Sequence, residues 1–151
     1  MNGEIRLEFV DTNIFVYAYD LSAGKKHETA LDLVRQLWDS RQGCISIQVL
    51  QELFASLTRK INPPLDTDLA AQIIRDLSTW QTVVPGIEDV LQAIGITLRY
   101  KISFWDAMII QSAIHVGCKQ IWSEDLSDRQ IYDQVRIFNP FVITEHKTPS
   151  G

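Results

Sequence analysis

The chain is poor in cysteine, in long apolar runs and in positive charge. Its 151 residues contain only two cysteines, Cys44 and Cys118, which lie far apart and form no Cys-x-x-Cys pair. Two isolated thiols fit a reducing cytosol, and the spacing alone leaves a disulfide between them open. No apolar run is long enough to span a bilayer, and the first residues show no signal-peptide pattern. We therefore expect a cytoplasmic protein without a membrane segment.

The net charge argues weakly against a nucleic-acid partner. The chain carries a formal charge of −5 at pH 7, whereas phosphate binding normally uses Lys and Arg side chains. Four acids discussed below (Asp11, Glu52, Asp106 and Asp125) account for four of these charges. If they hold divalent cations, the local charge is reversed and favours a phosphodiester. The overall charge therefore excludes little.

Strand and helix patterns alternate along the chain. Apolar strand patterns occupy residues 5–10, 43–47, 82–84, 120–122 and 135–138, and helix patterns occupy residues 12–19, 26–40, 46–61, 66–79, 87–101 and 103–116. This alternation predicts an α/β fold with a central, mostly parallel sheet between layers of helices, in three α-β-α layers. We expect one domain over residues 1–143 and a polar, flexible tail over residues 144–151.

Two acids follow predicted strands. Asp11 comes after the first strand, and Asp125 comes after the strand at 120–122. Sites in parallel sheets form outside the carboxyl ends of the strands, so this placement is a first indication of function. Each acid also has a simpler interpretation, because Asp11 is placed to cap the next helix and Asp125 shares an acidic, solvated loop with Glu124 and Asp128.

The other two acids lie in predicted helices. Glu52 points away from the apolar stripe of its helix, and taken alone it is best interpreted as a solvated side chain. Asp106 is the only formal charge over residues 104–118, in a helix that is apolar nearly all round, so we expect it to be largely buried. Buried carboxylates are rare unless paired or bound to metal. Ser103, three residues earlier, also makes Asp106 fit a capping box.

Trp105 and several basic pairs allow two interpretations each. Trp105, beside Asp106, is either a platform on which a base stacks or, more simply, part of the core. The pairs Lys25-Lys26, Arg59-Lys60 and Arg99 with Lys101 either contact RNA phosphate or an acidic partner, or are ordinary solvated charges.

In combination, these motifs resemble the PIN-domain family, and specifically its VapC-type toxin ribonucleases. The resemblance is carried by Val10-Asp11-Thr12-Asn13, Gln51-Glu52-Leu53, Phe104-Trp105-Asp106-Ala107, Ser123-Glu124-Asp125-Leu126 and the closing Phe138-Asn139-Pro140-Phe141. It covers nearly the whole chain, about residues 5–143. The fourth motif departs from the family, which usually has Thr-Asn-Asp there, so Glu124 adds a charge beside Asp125.

The resemblance implies a set of site residues. Asp11, Glu52, Asp106 and Asp125 would bind Mg²⁺ or Mn²⁺, which prefer oxygen ligands. The resemblance further implies that Thr12, Asn13 and Ser123 support these acids or contact the substrate, and the acidic loop leaves Glu124 and Asp128 as alternatives for the fourth metal ligand.

The resemblance also implies a function. The chain would be an endoribonuclease that cleaves RNA phosphodiester bonds with a metal-activated water, leaving a 5′-phosphate and a 3′-hydroxyl. It would be the toxin of a toxin–antitoxin pair, a homodimer neutralised by an antitoxin whose C-terminal segment lies over the active site.

Three other functions compete with this one. A phosphotransfer enzyme or phosphatase of the haloacid-dehalogenase type, with Asp11 as nucleophile, would want a second Asp two positions on, where this chain has Asn13. A catalytically silent PIN-like module that binds RNA or protein is disfavoured by the intact set of four acids. A housekeeping RNA-processing nuclease of the same family remains open from the sequence.

Overall fold

Strands and helices alternate over residues 6–142, the part of the chain that the computed structural model describes. The strands within this range are β1 (Glu8–Val10), β2 (Gly43–Ser46), β3 (Gln81–Val83), β4 (Gln120–Trp122), β5 (Ile131–Tyr132) and β6 (Val135–Phe138). The helices are α1 (Thr12–Tyr19), α2 (Lys25–Ser40), α3 (Ile47–Arg59), α4 (Thr67–Leu77), α5 (Ile87–Tyr100) and α6 (Phe104–His115), with a 3₁₀ turn at Leu21–Ala23.

The strands form one sheet in the order β3-β2-β1-β4-β6-β5. Every pairing is parallel except that of β5 with β6. β1 lies at the centre, between β2 and β4, and Val10 at its end is in register with Trp122 at the end of β4. The carboxyl ends of these two strands therefore meet at one edge of the sheet.

Helices pack on both sides of the sheet. α1 packs against α2 and α3, and α3 also contacts α4. α6 contacts the sheet at β2, β4 and β6, and α5 packs on the outer side of α6. Helix α6 is enclosed between the sheet and α5, and residues 107–113 are buried on every side. This explains why its sequence is apolar nearly all round instead of amphipathic.

The three-layer α/β fold predicted from the sequence is confirmed. Strand β5 was not predicted, because it has only two residues and pairs antiparallel at the edge, which leaves no periodicity to detect. The first strand begins at Glu8, and residue 5 of the predicted strand lies outside the described residues, as does the predicted tail at 144–151. The domain boundary at residue 143 also stays a prediction.

The two cysteines are free and buried. Cys44 lies in β2 and Cys118 lies just before β4, and the thiol of Cys44 together with burial raises the pKa of the Cys118 thiol. The Cys118 thiol is therefore an uncharged packing group near neutral pH. Over residues 6–142, the helices are too short or too polar to cross a lipid bilayer.

Candidate active site

Four separate segments bring the predicted acids to the same edge of the sheet. Asp11 follows β1 and Asp125 follows β4, and the backbone N–H of Asp11 donates to the carbonyl of Trp122 at 2.9 Å. Glu52 reaches this edge from α3, and Asp106 reaches it from the first turn of α6. The parallel topology thus gathers residues that are up to 114 positions apart in the chain.

Asp11 is the most buried of the four acids, with 4% of its surface exposed. Its carboxylate accepts hydrogen bonds from the backbone N–H of Thr12 at 2.7 Å, the hydroxyl of Ser123 at 2.8 Å and the amide of Asn13 at 3.3 Å. It is also the N-cap of α1, so capping and a functional role coexist at this residue.

Asn13 connects the two acids at the strand ends. Its Nδ2 donates to Asp11 Oδ2 and to Asp125 Oδ2, at 3.3 and 3.1 Å, while its Oδ1 accepts from the backbone N–H of Glu124 at 3.0 Å. Oxygens of both carboxylates are therefore directed at one common point. Ser123 completes the turn by accepting from the backbone N–H of Asp125 at 3.2 Å.

Glu52 faces this edge instead of bulk solvent. Its Oε1 accepts from the hydroxyl of Thr12 at 2.6 Å, and its Oε2 accepts from the amide of Gln48 at 3.1 Å. Gln48 also donates to the backbone carbonyl of Trp105 at 3.2 Å, which ties α3 to the first turn of α6. The interpretation of Glu52 as a solvated side chain is wrong, because α3 packs against α1 on that side.

Asp106 is half-buried, so the expectation that it is largely buried is wrong. It lies in the first turn of α6, where Ser103 caps its backbone N–H at 3.1 Å, and the helix becomes enclosed only from residue 107 onward.

The expectation of core packing for Trp105 is wrong because Trp105 also precedes the enclosed part of α6. Trp105 is 61% exposed and contacts the ring of Phe104 edge-on.

The carboxylates affect one another electrostatically. Burial raises the pKa of Asp11 to about 7 against the hydrogen bonds from Ser123 and Thr12, and the negative charges of Asp125 and Glu52 raise it further. Burial, followed by the charges of Asp125 and Glu52, also raises the pKa of Asp106. Asp11 and Asp106 are thus each repelled by Asp125 and Glu52, and a bound cation would relieve this repulsion.

An open cavity of about 530 Å³ adjoins the cluster. It lies between α1, α3 and the loop after β4, and it is lined by Thr12, Asn13, Val16, Tyr17, Glu52, Ala55, Ser56, Lys60, Glu124 and Asp125. The cavity therefore presents carboxylates on one part of its wall and the ammonium group of Lys60 on another.

The two alternative acids of the loop are engaged elsewhere. Glu124 forms an ion pair with Lys26 and accepts a hydrogen bond from the hydroxyl of Tyr17 at 2.7 Å. Burial raises the pKa of Glu124, but the bonds from Lys26 and Tyr17 outweigh this effect and lower it overall. Asp128 accepts from the backbone N–H of Asn139 at 2.8 Å, at the end of β6.

The donor set fits a hard divalent cation by its chemistry. Mg²⁺ and Mn²⁺ prefer carboxylate oxygens, and two carboxylates here share one point now contacted by the amide of Asn13. Across the described range 6–142, however, no three His, Cys, Asp or Glu side chains converge closely enough to enclose a metal ion. Metal binding at this edge would therefore require rotation of these side chains, and Asp11, Asp125, Glu52 and Asp106 are the candidates.

Several site residues were not predicted from the sequence. Gln48 is four positions before Glu52, so the helical spacing alone places both on one face. The sequence shows Lys26 and Lys60 only as members of basic pairs, and it carries no functional signal for Tyr17. No sequence periodicity indicates that the chain folds Lys26 against Glu124.

Comparisons with known proteins identify the family and the fold. A family model described as PIN domain matches residues 9–133. A search of curated proteins finds no match to this chain. Among solved structures, the chain is similar to Mycobacterium tuberculosis VapC20, described as a sarcin–ricin loop cleaving toxin, with 26% identity and a TM-score of 0.61. That alignment covers 78% of this chain and 89% of VapC20.

Two further solved structures, with lower sequence identity, share the fold. A toxin–antitoxin complex from Klebsiella pneumoniae aligns with 19% identity and a TM-score of 0.63, over 90% of this chain and 99% of the other. VapBC2 from Rickettsia felis, bound to a DNA fragment from its promoter, aligns with 16% identity and a TM-score of 0.59, over 87% and 96% of the two chains.

Proposed function

Because the chain belongs to the PIN-domain family, we propose that it is a Mg²⁺- or Mn²⁺-dependent endoribonuclease and the toxin of a toxin–antitoxin pair. The observation that carries the proposal is the cluster of Asp11, Glu52, Asp106 and Asp125 beside an open cavity. The similarity to VapC20 and to toxin–antitoxin complexes supports the toxin role and an antitoxin partner. The resemblance to VapC-type toxins adds a homodimer to the proposal.

The chain's own residues have separate tasks in this proposal. Asp11 and Asp125, with Glu52 and Asp106, would hold the cation, which when bound stabilises charge on the attacking and leaving oxygens of the phosphodiester. Asn13 and Ser123 orient the two acids at the strand ends, and Thr12 orients Glu52. Lys60, on the cavity wall, is placed to contact an RNA phosphate.

The loop after β4 supports Asp125 as the fourth acid in preference to its neighbours. Asp125 shares the amide of Asn13 with Asp11, whereas Glu124 is neutralised by Lys26 and Asp128 binds a backbone N–H near the end of β6. An acid already paired with a lysine loses that pairing if it moves to bind a metal. We therefore assign Glu124 the role of orienting the loop through Lys26 and Tyr17.

Cleavage of RNA tests this function. Ribosomal RNA that contains the sarcin–ricin loop is the first substrate to try, given the similarity to VapC20. The wild-type chain is expected to cut with Mg²⁺ or Mn²⁺ but not with EDTA, and both Asp11→Asn and Asp106→Asn are expected to abolish cutting. Asp68→Asn, on the exposed surface of α4, is the matched control and should cut normally.

Two results would count against the proposal. Cutting that survives both substitutions would mean that another site or a contaminant is responsible. Absence of cutting on ribosomal and transfer RNA, with Mn²⁺ also failing to bind, would favour a catalytically silent module that binds RNA or protein.

A further inference from the structure

A second open cavity, of about 470 Å³, lies near the active-site edge of the sheet. It is bounded by one face of α2, by the carboxyl ends of β4 and β6, and by the loops that follow these strands. Its volume falls within the range of roughly 300–1,000 Å³ that is usual for small-molecule sites. This α2 cavity is lined, among others, by Asp32, Gln36, Trp122, Asp128, Arg129 and Phe138.

One wall of the α2 cavity is aromatic. Trp122 and Phe138 are partners in the parallel pairing of β4 with β6, so their side chains project from the same face of the sheet. Their ring centroids are 5.7 Å apart, and the ring planes are inclined at 44°. The indole N–H of Trp122 donates to Glu8 Oε1 at 2.8 Å, which fixes the edge of this ring. Both rings are half-buried and therefore form a fixed surface that still reaches the cavity.

The rest of the wall is polar and carries both signs of charge. Asp32 and Gln36 are exposed on α2, one helical turn apart, and both line the cavity. The guanidinium of Arg129 lies over the ring of Phe138, with Cζ 5.5 Å from the ring centroid. Asp128 lies beside it, with 3.9 Å between Asp128 Oδ2 and Arg129 Nε. Across the described part of the chain, the carboxylate of Asp32 has no ion-pair partner.

These features favour a nucleobase over an anion as the ligand. The lining contains two carboxylates, those of Asp32 and Asp128, against the single guanidinium of Arg129. A phosphate group is therefore disfavoured, because its binding uses an excess of positive charge. A nucleobase is neutral, and its flat face stacks on aromatic rings and guanidinium groups while its edge offers hydrogen-bond donors and acceptors.

The α2 cavity adjoins the active site. Lys26 and Thr29 are three residues apart on α2, so they share a face of this helix. Lys26 pairs with Glu124 at the active-site edge, whereas Thr29 lines the α2 cavity. Trp122 is three residues before Asp125, so their Cα atoms are at most about 11 Å apart. A base next to a nucleotide held at the four acids is therefore within reach of the α2 cavity.

The closing segment Phe138-Asn139-Pro140-Phe141 has no task in the acid cluster, and it shapes the α2 cavity. Its first three residues line the cavity, and the ring centroid of Phe141 is 5.6 Å from the ammonium of Lys26. The backbone N–H of Phe141 donates to Asn139 Oδ1, and that of Asn139 donates to Asp128 Oδ1, both at 2.8 Å. These bonds hold the segment in a fixed turn, so the wall of the cavity is formed before any ligand binds.

We propose that the α2 cavity is a nucleobase subsite, which binds one base of the RNA strand beside the nucleotide held at the four acids. The base stacks on the aromatic wall, and its edge contacts Asp32, Gln36 and Arg129. Contacts to the phosphodiester carry no sequence information, whereas contacts to a base edge do. The subsite therefore gives the enzyme a base preference next to the cut. This proposal rests on the proposed ribonuclease function.

Binding of short RNA in EDTA tests the subsite without cleavage. The indole N–H signal of Trp122, identified by its loss in Trp122→Phe, is followed by NMR while each of four single-base RNA tetranucleotides is added to the full chain. At least one tetranucleotide is expected to shift this signal saturably and to leave the signal of the buried Trp80 unchanged. Absence of a saturable shift at Trp122 with all four tetranucleotides would overturn the proposal.

A double variant tests the polar wall. Asp32→Ala combined with Gln36→Ala is expected to weaken this binding roughly tenfold, because two hydrogen-bonding groups are lost. The matched control is Asp68→Ala combined with Gln72→Ala, the same pair of exposed residues at the same spacing on α4, which should bind as wild type does. Equal affinity of the double variant and its control would overturn the assignment.

Arg129→Gly tests the same wall with little risk to the fold. The backbone of Arg129 has a φ of 69°, which glycine adopts without strain, so the substitution removes the guanidinium and keeps the turn. Tetranucleotide binding is expected to weaken several-fold, with an unchanged circular dichroism spectrum. Unchanged binding in both Arg129→Gly and the double variant would exclude the α2 cavity as the subsite.

Cleavage of an RNA library with randomised sequence, read by sequencing of the fragments, separates the subsite from the nuclease function. Wild type is expected to show a base preference of roughly tenfold at a position beside the cut, the size of one good base-edge contact. The Asp32 and Gln36 double variant should keep cutting but lose this preference, whereas the α4 control should keep both. Cutting without a shift at Trp122 would overturn the subsite alone. A saturable shift at Trp122 without cutting would overturn the ribonuclease function and leave the base-binding cavity established.

Discussion

Replacing Asp11 by Asn is expected to stabilise the metal-free protein at alkaline pH while removing its function. The carboxyl of Asp11 has a pKa of about 7 when folded, against 3.8 when unfolded. Because the folded pKa is the higher of the two, stability from the neutral carboxyl is fully present below about pH 4. It is lost as the pH rises toward 7, since the unfolded chain releases its proton first.

The magnitude follows from the size of the pKa difference. Each unit corresponds to about 1.4 kcal/mol, so ionising Asp11 costs about 4 kcal/mol of folding free energy above pH 7. An Asn at position 11 has no charge and avoids this cost. Its NH₂ group would however face the donors Ser123 and Asn13, and this mismatch destabilises the fold by about 1–3 kcal/mol. The balance is a gain of about 2 kcal/mol near pH 8 and a loss of similar size near pH 4.

Thermal unfolding in EDTA measures both ends of this range. Asp11→Asn should be the more stable protein near pH 8, by roughly 4–8 °C in Tm, and the less stable one near pH 4. Added Mg²⁺ should stabilise wild type more than the variant, because a cation near the ionised carboxylate offsets its burial. A difference between the two proteins that is constant from pH 4 to pH 8 would refute the reasoning.

Three other substitutions are expected to have separable effects. Trp105→Ala should weaken RNA binding roughly tenfold by removing an exposed stacking surface, with Trp105→Phe close to wild type, in a fluorescence-anisotropy titration. Asp89→Asn should destabilise the fold by about 1–3 kcal/mol at pH 7 in urea unfolding, because an NH₂ group replaces one of the two carboxylate oxygens that accept from Gln111, His115 and Gly86. Burial raises the pKa of Asp89, but its hydrogen bonds outweigh burial and lower the pKa overall. The stability that the Asp89 carboxylate contributes is therefore lost as the pH falls through this lowered pKa, so the effect of the substitution should fade in acid. Gly43→Ala should cost about 1–3 kcal/mol in thermal unfolding, as a Cβ would lie 2.3 Å from the ring of Trp80.

The sequence predicted the architecture well because the helices and most strands carry strong local signals. Ser103 caps α6 as predicted, and the alternation of elements sufficed for a parallel sheet. β5 was missed because a two-residue strand has no period.

The site was harder to predict than the fold because its geometry is tertiary. Periodicity alone assigned Glu52 to solvent, since nothing in α3 shows that α1 covers that side. The resemblance to a family selected Glu52, while the exposure of Trp105 contradicted a prediction based on its apolar surroundings. The ion pair of Lys26 with Glu124 joins residues 98 positions apart, and only the folded chain shows it.

Binding of Mn²⁺, measured by isothermal titration calorimetry, tests the central claim that these acids form a metal centre. Wild type is expected to bind, and Asp11→Asn and Asp106→Asn are each expected to weaken binding roughly tenfold or more, because losing even a group that only supports a metal ligand has an effect of that size. Asp125→Asn should do the same, whereas Asp128→Asn and the surface control Asp68→Asn should bind as wild type does. Equal Mn²⁺ affinity in wild type and in the Asp11 and Asp106 variants would contradict the account.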